Sequence, residues 1–241
     1  MLLRTIKTEM MKQKRSPIWL AFIFVPIIPA VMGTFNYLQN LELLKSSWYS
    51  LWSQHSLFMC YFFLPALLAV YCAWLWRIEH FQNNWNMLLS SPVPFAVQYG
   101  AKLLSASGMV ILTQVWIGVL FVLSGKLAGI TEPLPVSLFF WLFCGVLGGI
   151  AICAMQLLLS LVIRSFAVPV VIALLGGFIG LLAAAKGKGI FVIYALNSIG
   201  MQANNPQDGL AYDLPVFLLV CMIDVVVLFF LSVKYAGRRD M

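Results

Sequence analysis

Long apolar runs separated by short polar stretches dominate this chain of 241 residues. A helix needs about 20 apolar residues, each adding ~1.5 Å, to cross the ~30 Å hydrocarbon core of a bilayer. Six runs reach that length and predict six transmembrane helices. The predicted spans lie near residues 17–38, 56–76, 103–124, 135–162, 166–184 and 214–233. The pattern therefore predicts an all-α, polytopic membrane protein with a single transmembrane domain over residues 1–241.

Residues 1–16 are short, basic and amphipathic. Leu3, Ile6 and Met10 recur at helical spacing, with basic residues between and after them. Such a segment is typical of a helix lying in the headgroup plane, with its cations near anionic lipid. We therefore predict a cytoplasmic surface helix, and a frayed terminal tail is the alternative.

Composition excludes a soluble domain. The chain is 62% hydrophobic and only 10% charged, whereas soluble domains carry roughly 25% charged residues. A net charge of +7 could indicate nucleic-acid binding in a soluble protein. Here the basic residues are concentrated in particular loops, so the excess indicates membrane topology, and we expect no nucleic-acid partner.

Charge also predicts orientation. With the N-terminus inside, the inner segments hold eleven of the fifteen basic residues and the outer segments hold four, namely Lys45, Lys126, Lys186 and Lys188. The inverted topology would violate the positive-inside rule. We therefore predict a multi-pass protein of the cell membrane with both termini in the cytoplasm.

Two outer segments are predicted to be more than connectors. In residues 39–55, Leu41, Leu44, Trp48 and Trp52 follow roughly helical spacing, which predicts a helix on the outer membrane surface with its aromatic side chains at the interface. In residues 185–213, the seven-residue apolar run 190–196 is too short to span a membrane. It favours a short helix that dips into the outer leaflet.

The longest polar island lies between the second and third spans, at residues 77–102. Ile78, Phe81, Trp85, Leu88 and Leu89 follow the i, i+3, i+4 pattern, which predicts an amphipathic helix at the inner surface. The prolines of Ser-Pro-Val-Pro at residues 91–94 end it. A surface helix joined to two spans can transmit a push, although the spacing alone is equally compatible with an ordinary connecting loop.

A sequence resemblance favours the first interpretation. An acidic residue after the second span is followed by Asn-x-Trp, an apolar pair, Ser-Pro-Val-Pro and a lysine that opens the third span. In this chain these are Glu79, Asn83 or Asn84, Trp85, Leu88 and Leu89, residues 91–94, and Lys102. With the six-span plan, the N-terminal surface helix and the long outer segment before the last span, this pattern resembles ABC-2 type permeases, specifically the membrane subunits of lantibiotic self-immunity exporters.

The resemblance implies a partner and a cargo. Residues 77–91 would be a cytoplasmic coupling helix docking on a separate ABC ATPase, present in two copies, which binds ATP and Mg²⁺. The coupling residues would be Glu79, His80, Asn83, Trp85, Leu88 and Pro92. A second permease subunit, identical or homologous, would complete a pump that expels a lantibiotic-type peptide from the membrane. Alternatives are a bacitracin-like or multidrug ABC-2 permease, or an ATP-independent channel or secondary transporter.

The chain shows no enzyme motif. His55 and His80 lie on opposite sides of the predicted membrane, and HExxH, GxSxG and the Walker phosphate loop are all absent. The five cysteines lie inside apolar runs without metal spacing. We therefore predict no catalytic residue, no metal site and no cofactor within this chain.

Three further residues are candidates for substrate contact. From their outer position, Trp48 and Trp52 would meet an amphipathic peptide first. Asp224 lies near the middle of the last span, where an unpaired carboxylate costs several kcal/mol. It would serve a polar transport pathway or a lock between subunits. Alternatively, a hydrogen bond to Gln156 or Gln114 would make it purely structural.

Overall fold

The computed structural model describes residues 1–14, 16–81 and 92–237 and is entirely helical over those ranges. The helices are α1 (Leu2–Gln13), α2 (Ile18–Gln39), α3 (Ser47–Phe58), α4 (Leu64–His80), α5 (Phe95–Leu127), α6 (Ser137–Val162), α7 (Ala167–Ala185), α8 (Leu196–Gly200) and α9 (Leu214–Gly237). A π-helical turn, Met59–Phe63, joins α3 to α4. Two 3₁₀ turns, Gly189–Phe191 and Ile193–Ala195, precede α8.

Six helical segments in the described ranges are long and apolar enough to cross a membrane, which confirms the predicted fold class. They are α2, the continuous stretch Ser47–His80, α5, α6, α7 and α9. Helix α6 is central and packs against α4, α5, α8 and α9. We call the end of the bundle that carries α1 the N-terminal end, and the opposite end the far end.

The second membrane segment differs from its prediction. Instead of a surface helix within residues 39–55 and a separate span over residues 56–76, one helical rod of 34 residues runs from Ser47 to His80. The prediction that Trp48 and Trp52 lie at the outer interface is wrong, because both indoles are buried. Trp52 stacks on Trp141 with ring centroids 4.9 Å apart and donates a hydrogen bond of 2.7 Å to the Met201 carbonyl.

Pro65 explains the π-helical turn within this rod. Proline has no N–H, so the carbonyl of Tyr61, four residues earlier, loses its normal intrahelical donor. The turn at Met59–Phe63 widens the helix there, as π-helical turns commonly do around such a defect. The Tyr61 carbonyl faces Gly177 of α7, where an added Cβ would lie 2.1 Å from the oxygen. Only glycine fits this contact.

The segment before the last span folds back into the bundle at the far end. Its two 3₁₀ turns and α8 contain several buried residues, including the polar Asn197 and Gln202. Asn197 donates to the Gly145 carbonyl at 2.7 Å, and Trp141 donates to the side-chain oxygen of Gln202 at 2.8 Å. The predicted dipping helix is therefore a packed element whose polar groups are bonded to α3 and α6.

Gly177→Ala is expected to lower the midpoint of thermal unfolding in detergent. The new methyl group would press on backbone, and overpacking of this kind costs about 1–3 kcal/mol. Gly108→Ala in α5 is the matched control, since its Cβ would have no atom within 4 Å and alanine favours a helix by ~1 kcal/mol. Equal midpoints for the two variants would contradict the close approach of α7 to Tyr61.

Candidate functional site

Helix α1 turns a polar side toward the bundle. Glu9 is only 4% exposed and Gln13 is buried beside it, whereas Leu3 is 82% exposed and Met10 is also exposed. A water-soluble helix would show the reverse pattern. The arrangement suits a helix lying in the membrane plane, with apolar side chains toward lipid and an acid toward protein.

Four charged side chains meet beneath this helix, and we call them the charge cluster: Glu9, Lys12, Glu79 and Lys102. The ammonium group of Lys102 lies 2.9 Å from Oε2 of Glu9 and 2.6 Å from Oε1 of Glu79. Lys12 lies 2.7 Å from Oε1 of Glu9 and 2.8 Å from Oε1 of Glu79. Two cations and two anions alternate, so the cluster is neutral when all four are ionised.

Lys102 is the most deeply placed member, with no exposed surface. Its third donor reaches the carbonyl of Leu75 at 2.7 Å, so all three N–H groups have acceptors. The ammonium also lies 4.7 Å from the centroid of the Trp76 ring, within the range of a cation–π contact. These contacts offset the cost of burying a lysine, which is prohibitive for an unpaired charge.

Lys12 is charged at neutral pH because it too is paired with carboxylates. Burial pushes the pKa of Lys12 down, whereas the carboxylates of Glu79 and Glu9 push it up, and the net result is a raised pKa. Its side chain is 25% exposed, so Lys12 is the solvent-accessible member of the cluster.

The cluster ties three helices together at one level. Glu9 and Lys12 come from α1, Glu79 from the last turn of α4, and Lys102 from the second turn of α5. Helices α4 and α5 flank residues 82–91, most of the predicted coupling helix, so the cluster lies at the base of that segment. A movement of the last turn of α4 or of the start of α5 must strain these ion pairs unless α1 moves with it.

The other predicted coupling residues differ in their surroundings. His80 is partly buried, with Nε2 2.7 Å from the Ser160 carbonyl oxygen of α6. Pro92 is exposed, three residues before α5 begins. Asn83, Trp85 and Leu88 lie outside the described residues. Glu79 is 3% exposed, which leaves its carboxylate little surface for another protein, and the coupling role of all six residues stays a prediction.

Asp224 is half-buried in α9. The two proposed partners bond elsewhere: Gln156 donates to the Tyr194 hydroxyl at 2.7 Å, and Gln114 lies 3.5 Å from the Met201 sulfur. Neither accounts for the carboxylate. A role for Asp224 in substrate contact or in a lock between subunits stays a prediction, as does substrate contact by the buried Trp48 and Trp52.

Sequence reasoning missed Glu9. The available signal was a lone acid in an otherwise basic segment, placed one turn from Thr5, Ile6 and Gln13 on a helix. Sequence reasoning also missed a cavity of about 350 Å³ at the far end. Within the described ranges, no group of three or more His, Cys, Asp or Glu side chains could hold a metal ion.

Six helical segments of the described ranges are long and apolar enough to cross a membrane, which indicates a multi-pass membrane protein. A family model described as ABC-2 family transporter protein matches residues 5–180. This is well over half of the chain, so the chain belongs to the ABC-2 family and is the membrane permease of an ABC transporter, without catalytic chemistry of its own. No curated protein and no solved structure gave a significant match.

Lys102→Met is expected to lower stability by about 3–5 kcal/mol, because it leaves two buried carboxylates with a single cation. The double variant Glu79→Leu/Lys102→Met keeps the neutral Glu9–Lys12 pair and should recover most of that loss. Unfolding midpoints and the yield of monodisperse protein in detergent provide the measurement. Lys7→Met, at an exposed position of α1, is the control. A double variant as unstable as the single one would contradict the charge cluster.

Proposed function

We propose that this permease subunit pairs with a second one, identical or homologous, above two cytoplasmic ABC ATPase subunits that bind ATP and Mg²⁺. Residues 77–91 form the coupling helix on which each ATPase docks. The excess of basic residues at the N-terminal end supports a cytoplasmic location for it and for both termini. The observation that carries the proposal is the charge cluster at the base of residues 82–91.

The rod Ser47–His80 supports a mechanical route from the coupling segment to the far end. Its 34 residues extend for about 50 Å at ~1.5 Å each. Glu79 is held by Lys102 and Lys12 at one end, and Trp52 is bonded to Met201 of the folded-back segment near the other. ATP-driven closure of the ATPases would push on residues 77–91, and the rod would carry that movement to the far end.

We further propose that the cargo is a lantibiotic-type peptide, amphipathic and often cationic, which the pump expels for self-immunity. The far-end cavity supports this cargo, because its walls combine a carboxylate, amides and hydroxyls with apolar groups. Its polar lining includes Tyr61, Ser198, Gln202, Asn204, Asp208 and Tyr212. Asp208 is exposed at this cavity, where it would attract a cationic side chain.

Trp85→Ala and Leu88→Ala are expected to reduce co-purification of the permease with an ABC ATPase expressed from the same gene cluster. Truncating a hot-spot side chain costs an interface about 2 kcal/mol or more, which is roughly a 30-fold loss of affinity, and the larger loss is expected for Trp85 because tryptophan is enriched at hot spots and leucine is not. Leu127→Ala is the matched control, since Leu127 is highly exposed at the far end. Full retention of the ATPase by both variants would refute docking on this segment.

Asp208→Asn is expected to weaken protection of cells against a cationic lantibiotic several-fold, because it removes the cavity's carboxylate and leaves its shape nearly unchanged. Glu42→Gln, another exposed carboxylate at the far end, should leave protection unchanged. The minimum inhibitory concentrations of a lantibiotic and of bacitracin, measured side by side, give the readout. Protection against bacitracin alone would overturn the lantibiotic assignment and leave the permease assignment intact.

A further inference from the structure

A second cavity, of about 290 Å³, lies at the N-terminal end between α4, α6 and the start of α7. We call it the arginine pocket and define it by six of its lining residues, Arg77, His80, Ser160, Arg164, Ser165 and Phe166. It is separate from the charge cluster and from the far-end cavity. Arg77 and His80 also belong to residues 77–91 of the proposed coupling helix, but neither the family match nor the proposed function assigns the pocket a ligand.

The pocket carries two positive charges that no described acidic side chain pairs with. Among the described residues, every ion pair belongs to the charge cluster, so Arg77 and Arg164 have no acidic partner there. The sequence that follows α4, residues 82–91, contains no acid either. Arg77 is positioned by two aromatic rings, at 5.2 Å from the centroid of Trp74 and 5.8 Å from that of Phe166. Such stacking leaves the guanidinium donors at its edge available for an anion.

Two neutral features point toward an anionic ligand as well. Ser160 is 2% exposed, and its hydroxyl has no hydrogen-bond partner among the described residues, although a buried hydroxyl normally has one. Helix α7 begins at this wall with Phe166 as its N-cap and no side-chain cap. Pro169 has no N–H, but the N–H groups of Ala167 and Val168 and the positive end of the helix dipole remain available to an anion.

The surroundings indicate where that anion comes from. Phe81 and Phe166, two exposed apolar side chains, line the pocket. Ile78, Val162 and Val168, which lie within two positions of lining residues in the sequence, are exposed as well. Such a border suits acyl chains, with a charged group held at the level of the headgroups. A free phosphate ion has no apolar group to contact these side chains.

We propose that the arginine pocket binds the phosphate of an anionic phospholipid, such as phosphatidylglycerol, from the leaflet at the N-terminal end of the bundle. Arg77 and Arg164 provide charge-assisted hydrogen bonds to the phosphate oxygens. Ser160 and the first N–H groups of α7 provide neutral donors. The bound lipid joins α4 to the α6–α7 turn and so stabilises the end of α4, which precedes residues 82–91.

The test measures lipid binding to the full-length permease in detergent by native mass spectrometry and by thermal shift. Phosphatidylglycerol should bind about tenfold more tightly than phosphatidylcholine and should raise the unfolding midpoint. Arg77→Gln/Arg164→Gln should abolish this preference. Lys186→Gln/Lys188→Gln, which removes two exposed cations at the far end, should retain it. If the arginine double variant folds poorly, Arg164→Gln alone should weaken the preference, because that side chain is exposed.

Three outcomes would overturn the proposal. Equal phosphatidylglycerol binding by the wild type and the arginine variants would exclude the pocket as the lipid site. An equal thermal shift with millimolar inorganic phosphate would assign the pocket to a free anion. Unchanged lipid binding with loss of ATPase co-purification would assign the arginines to an acidic surface of the ATPase. Because lipid binding needs no ATPase or peptide, its failure is distinct from failure of the proposed function.

Discussion

The fold of the N-terminal end depends on the burial of one cation, the ammonium group of Lys102. A lysine with no exposed surface is tolerated only when every donor has an acceptor and the charge is balanced. Glu9, Glu79 and the Leu75 carbonyl satisfy the three donors, and Lys12 restores neutrality. This requirement holds α1 against the last turn of α4 and the second turn of α5.

The permease then has two kinds of stabilisation at its two ends. At the N-terminal end, ion pairs join α1, α4 and α5. At the far end, indole and amide hydrogen bonds hold the folded-back segment inside the bundle, as Trp52 does with Met201 and Asn197 with Gly145. The long rod Ser47–His80 takes part in both sets of contacts. One continuous helical stretch therefore joins the two ends of the bundle.

Hydropathy predicted the six spans because each depends on its own apolar length. It did not predict that residues 47–58 continue into the second span, since their serines, glutamine and histidine favour a helix at the membrane surface. Tertiary contacts, such as that of His55 with Thr34 at 2.8 Å, help to satisfy these polar groups inside the bundle. The family resemblance singled out Glu79 and Lys102, but sequence reasoning missed Glu9, whose partner Lys102 lies 93 positions away. Pairings at that separation leave no periodic signal.

The inverted polarity of α1 has a consequence for biosynthesis. Glu9 is translated early, but its buried partner arrives only after two membrane segments and the intervening polar island have been made. Until then its carboxylate remains hydrated while Leu3 and Met10 hold the helix on the lipid surface. The first helix in the chain can therefore take its final place only after the start of the third span has been made.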